Sequence, residues 1–160
     1  MADDLDRLAD WIVPLLHQLQ PAQRRMLARE IARALRADNA QRMRAQAGPD
    51  GTPWTPRKAQ PASRSRARRG QLRKPPKSGA MFTKLRQARH FKTSATDAEA
   101  AAFFSGMAER IARVHHLGLR DRVKPGGPMY EYPARELLGI TPEFKESVRD
   151  RILRHLAAGS

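Results

Sequence analysis

The chain has 160 residues, with 31 Lys plus Arg against 16 Asp plus Glu and a formal net charge of +15. That length fits one domain, or one smaller domain with an arm, and 40% hydrophobic residues is too many for a fully disordered chain. The absence of cysteine excludes disulfides, thiolate zinc sites and cysteine nucleophiles. No apolar run approaches the roughly 20 residues that span a bilayer, and the acidic Met1–Asp6 segment lacks the pattern of a secretory signal, so a soluble product made in the cytosol is expected, with no membrane partner.

Residues 3–19 read as a helix with Leu5, Leu8, Ile12, Leu15, Leu16 and Leu19 at helical spacing, interrupted at Pro14. A second helix starts near Pro21, a favoured first-turn residue, with Leu27, Ile31 and Leu35 recurring every four residues; its pattern turns polar beyond Asp38 and Gly48 is the expected stop. After a long break, residues 80–89 predict a short helix with Met81, Phe82 and Leu85 inward. A hairpin follows, Phe91–Ser94 and Glu99–Phe104 about a turn at 95–98, although Ala100, Ala101 and Ala102 are poor strand formers. Met107–Leu117 predicts a helix with Met107, Ile111 and Val114 on its inner face, capped by Gly118. Residues 120–128 read as a charged loop, Met129–Tyr132 as a short strand and Pro133 as its block. Thr141-Pro142-Glu143 starts the last helix, which buries Phe144, Val148, Ile152 and Leu156.

The break is where the charge sits. Between Gly51 and Thr96 there is no Asp or Glu but thirteen Lys and Arg; outside them 18 basic residues face 16 acidic ones. Nine of the thirteen form a candidate partner- or DNA-binding arm: Arg57, Lys58, Arg64, Arg66, Arg68, Arg69, Arg73, Lys74 and Lys77. With many Pro and Gly and little to bury, this stretch cannot pack as a core element and gains order only by gripping a partner. Phosphate backbones and acidic protein surfaces both suit it, and a solvated linker is the plain reading. Few aromatics interleave the charges, which argues against single-strand base recognition. Trp54, between Pro53 and Pro56, reads as an apolar peg fixing the arm's root.

The expected fold is α+β, with N-terminal helices (1–47), a long basic arm (48–79) and a small antiparallel sheet packed against helices (80–160). His115-His116 points to no metal site, because adjacent helical residues diverge by about 100°. Lys124-Pro125-Gly126-Gly127-Pro128 has the wrong spacing for a phosphate loop. No catalytic, metal or cofactor site is expected.

Several ordered segments resemble the phage virion morphogenesis family, the tail completion proteins: Pro49-Asp50-Gly51-Thr52-Pro53-Trp54-Thr55-Pro56-Arg57-Lys58, Met81-Phe82-Thr83-Lys84-Leu85-Arg86, Phe104-Ser105-Gly106, Ile111 through Asp121, and Tyr132-Pro133-Ala134-Arg135-Glu136-Leu137-Leu138-Gly139. The resemblance implies a non-catalytic virion protein, made in the host cytoplasm and acting late in tail assembly so that heads and tails join. It also implies likeness to head–tail adaptor proteins, and so a homo-oligomeric ring at the neck, suspected to be hexameric, that meets the tail terminator or tube and the head–tail connector and contacts packaged DNA. Trp54, His115, Gly118, Arg120, Pro133 and Arg135 are its structural or interface positions here. The alternative is a nucleic-acid-binding accessory protein using the arm on duplex DNA or RNA.

Overall fold

The computed structural model describes residues 13–14, 16–17, 19–57, 80–123 and 125–159. Helix α1 (Pro21–Ala45) opens with Pro in its first turn, and the Gln20 N–H donates to Gln23 Oε1 at 2.8 Å. It runs through the stretch whose polarity predicted a taper, because Ala, Arg and Gln are good helix formers and Asn39 and Met43 turn inward. It stops at Gln46, in the left-handed region at φ 60°, two residues before the expected Gly48.

Residues 80–89 form turns rather than the expected helix. Phe82 sits at φ 62°, a conformation that interrupts a right-handed helix, yet Leu85 still reaches the core. Strands β1 (Phe91–Ala95) and β2 (Ala100–Phe104) pair antiparallel, Phe91 opposite Phe104, with the two rings stacked at 4.7 Å. The alanines of β2 are strand after all: Ala100 and Ala102 share a face with the buried Phe104, and as small residues there they let α1 lie close.

Helix α2 (Met107–Leu117) ends at Gly118, φ 67°. It buries Ala108, Ala112 and Val114, whereas Met107 is 73% and Ile111 43% exposed, so two of the three residues expected inward face solvent. The small 108/112 ridge is what allows close approach to the core. The charged loop expected over 120–128 contains strand β3 (Arg120–Arg122), which pairs with β4 (Met129–Glu131) in a second two-stranded sheet; Asp121 there pairs with Arg110 of α2 at 2.7 Å. Helix α3 (Pro142–Gly159) starts where expected, with the Phe144 N–H donating to Thr141 Oγ1 at 3.0 Å.

The main core gathers Met43, Trp54, Leu85, Phe91, Phe104, Ala108, Ala112 and Leu137. A second cluster, Leu19, Leu27 and Ile152, joins α1 to α3. Of the helix expected over 3–19, Val13, Pro14 and Leu16 are helical and Leu19 is buried; the rest lies outside the described residues. Among the described residues no helix is long and apolar enough to cross a membrane.

Candidate functional site: the root of the cationic segment

Eight of the nine arm residues (Lys58, Arg64, Arg66, Arg68, Arg69, Arg73, Lys74 and Lys77) lie outside the described residues, and Arg57 is exposed at their threshold. The structure does define how the chain is held on either side of 58–79.

On the outgoing side the chain leaves α1 and reverses over residues 48–52. Gly48 N–H donates to Thr52 O, and Asp50 accepts from the Thr52 N–H at 3.0 Å and its hydroxyl at 2.6 Å. Those two bonds hold the Asp50 carboxyl below its usual pKa. The reversal returns Trp54 to the main core, its backbone N–H donating to Gln46 O at 2.8 Å. One residue on, the Thr55 carbonyl accepts both Nε (3.1 Å) and Nη2 (2.9 Å) of Arg135. Arg135 is 6% exposed and meets no carboxylate in any described ion pair; burial lowers its pKa. It therefore ties the Pro133-Ala134-Arg135 segment to the root of the cationic segment.

On the returning side Gln46 makes a reciprocal amide pair: the Met81 N–H donates to its Oε1 at 2.8 Å, and its Nε2 donates to Met81 O at 3.2 Å. Phe82 then meets Trp54 edge to face at 5.5 Å, so the chain leaves and re-enters the body at one place.

Rings continue from there. Phe82 meets His115 at 4.9 Å, His115 meets Tyr132 at 4.7 Å, and Tyr132 meets Tyr130 at 4.9 Å. Burial, with Arg135 second, pushes His115 down to about 4, so it is neutral near pH 7. Its neighbour His116 points elsewhere, Nδ1 accepting the Leu137 N–H at 3.0 Å. That bond fixes the Nε2–H tautomer. The Arg135 N–H donates to His115 O at 2.7 Å, and a Cβ on Gly118 would stand 2.9 Å from Ala134 N, so residues 133–137 are strapped to the end of α2. Pro133, half-buried, follows β4; Arg120, exposed in β3, stands opposite Glu131 at the rim.

The strap's far end interlocks with α1 through residues that sequence reasoning missed. The Gly139 N–H donates to Asn39 Oδ1 at 2.9 Å and its carbonyl accepts Arg42 Nη2 at 2.8 Å. Asn39 Nδ2 donates to Leu35 O, and Asp38 pairs with Arg42 at 3.1 Å. Among the described residues no cluster of His, Asp or Glu has the makings of a metal site.

This arrangement defines an α+β scaffold whose most elaborate joinery fixes both ends of a cationic segment. The chain belongs to the phage virion morphogenesis family, whose sequence pattern matches residues 3–157. It is 35% identical over 155 residues to Tail completion protein S of Escherichia phage P2, a match covering 96% of this chain and 98% of that protein. No solved structure matches it.

Proposed function

We propose that this protein is a structural component that completes the tail of a bacteriophage and allows heads and tails to join at the neck. One observation supports this reading: the similarity to Tail completion protein S covers 96% of this chain and 98% of that protein. Several copies assemble as a ring, and each docks through the cationic arm onto the tail terminator or tube and the connector, its guanidinium groups facing carboxylates or the phosphates of passing DNA. An arm of about 22 residues reaches up to roughly 70 Å when extended, enough to bridge to a neighbouring subunit or ring. A root held by Arg135 and Gln46 transmits that grip to the body. Trp54, His115, Gly118, Pro133 and Arg135 serve this anchorage, and Arg120 stands at the surface as a contact.

Electron microscopy of lysates lacking the protein tests the reading: full heads beside separate, finished-length tails are expected, and intact virions overturn it. Deleting residues 59–78 leaves the fold and removes joining. Normal virion yield from that deletion refutes docking through the arm. Salt-sensitive binding of duplex DNA by a chain whose loss leaves joining intact favours the nucleic-acid reading instead.

A further inference from the structure

The β1–β2 hairpin turns backbone groups outward along both of its edges. His90 O accepts the Ser105 N–H at 3.0 Å, and the Thr96 N–H donates to Glu99 O at 2.8 Å. With the register between them, these two bonds set the alternation: Lys92/Phe103 and Ser94/Ala101 are the hydrogen-bonded pairs. The N–H and C=O groups of Phe91, Thr93 and Ala95 therefore point away from the hairpin on one edge, and those of Ala100, Ala102 and Phe104 on the other.

The two edges are treated differently. On the β1 side the Phe91 N–H donates to Gln87 O at 2.9 Å, its carbonyl accepts Arg36 Nε at 2.6 Å, and Lys92 is exposed beside them, while no hydrogen bond among the described residues reaches the outward groups of Thr93 or Ala95. Charge on an edge strand guards it against further pairing. On the β2 side no hydrogen bond among the described residues reaches the outward groups of Ala100, Ala102 or Phe104, and Ala-Ala-Ala-Phe-Phe carries neither charge nor proline.

We infer that a second copy of this chain pairs with the β2 edge, antiparallel about a two-fold axis at Ala102, to make one four-stranded sheet across two copies. The sequence of β2 is complementary to itself in that register. Ala102 meets Ala102, Ala100 meets Phe104 and Ala101 meets Phe103, so every ring lies opposite an alanine that leaves it room. A slip of two residues sets Phe103 against Phe103. The same register brings Glu99 opposite Ser105 of the other copy, beside Gly106, where α2 begins without a side-chain cap. The free N–H groups there favour a carboxylate, and Glu99 makes no described ion pair of its own. Pairing also covers Phe103, 40% exposed, and relieves the weakness of a two-stranded sheet. The contact is isologous, so it joins copies in pairs. It stands on the strand edge and not on the tail-completion reading.

The chain has no cysteine, which permits a clean test. Full-length Ala101→Cys and Phe103→Cys variants are prepared separately, mixed and oxidised. The non-hydrogen-bonded 101/103 pair suits a disulfide, whereas 101/101 and 103/103 lie beyond the roughly 7 Å limit between Cα atoms. A disulfide-linked dimer forming in the mixture and at least tenfold less in either variant alone is expected. Equal cross-linking in the separate variants, or none in the mixture, overturns the proposal. Ala102→Pro removes an N–H that β1 does not use, so it should reduce native mass to that of the monomer with unchanged circular dichroism. A wild-type chain that sediments as a monomer also overturns the proposal. Phage yield enters none of these readouts, so failure here is distinct from failure of the neck reading.

Discussion

The two ends of α1 are joined to the rest of the molecule by different physics. Its N-terminal half lies on α3 through Leu27 and Ile152, with Ile31, Val148 and Leu156 around them. The rim is an ion cluster: Glu30 lies 3.1 Å from Arg151, 3.0 Å from His155 and 3.9 Å from Arg154. Aliphatic contact tolerates small shifts, and half-exposed charges are weak. The C-terminal half is interlocked instead. Asn39 and Arg42 hold both backbone polar groups of Gly139, Gln46 holds both of Met81, and Met43 is fully buried. That end carries the root of the cationic segment, and the contrast teaches that geometry rather than charge fixes where that segment leaves the body.

The largest effect expected is at Gly139. A Cβ there would stand 2.2 Å from Pro49 Cγ and 2.8 Å from Pro49 Cβ, and a proline ring has little freedom to yield. Gly139→Ala should cost about 3 kcal/mol, the upper end for an overpacked contact, because it also pushes the Gly139 peptide off Asn39 and Arg42. Urea unfolding checks this, and a loss under about 1 kcal/mol would mean that this end is no stiffer than the other. Arg135→Ala comes next, at about 2 kcal/mol for two charge-assisted bonds to the Thr55 carbonyl. Hydrogen exchange at residues 54–57 should quicken while the α1–α3 contact keeps its protection. Arg135→Lys should recover little, because an ammonium cannot reproduce the planar fork.

Much of this frame is legible in the residues. Leu27 and Ile152 lie on the inner face predicted for their helices, and Pro21, Gly118 and Thr141 mark ends that the structure keeps. What escaped is what depends on neighbours distant in the chain. Asn39 and Arg42 look like the fading of an apolar stripe; only a glycine a hundred residues later makes them inward-facing. Residues 80–89 have helical spacing, but packing between Trp54 and His115 accompanies a left-handed Phe82, at a local cost that contacts must offset. Met107 and Ile111 lost the inner face of α2 to smaller alanines, since a close helix–core approach favours low volume over hydrophobicity. Nothing in the local pattern reveals that Arg135 reaches Thr55.

Acid separates the two ends by pH. His115 is held neutral in the fold with a pKa of about 4 against an ordinary 6.5, so the unfolded chain binds its proton first. The stability it contributes is complete above pH 6.5 and drains away as pH falls toward 4. Glu30 works lower. Its carboxyl is held below the ordinary 4.5, chiefly by the hydrogen bond from His155, so its contribution is present above 4.5 and lost only as pH falls further. The arm's root should therefore yield to acid before the α1–α3 joint. In thermal melts the wild type should lose Tm between pH 6.5 and 4, and His115→Phe, which keeps a ring between Phe82 and Tyr132, should flatten that limb. Glu30→Gln should leave the limb unchanged, soften only the decline below pH 4.5, and cost under about 1 kcal/mol at pH 7, because the Glu30 side chain is 43% exposed. An acid limb that follows Glu30 and ignores His115 would reverse the assignment of which end is the more sensitive.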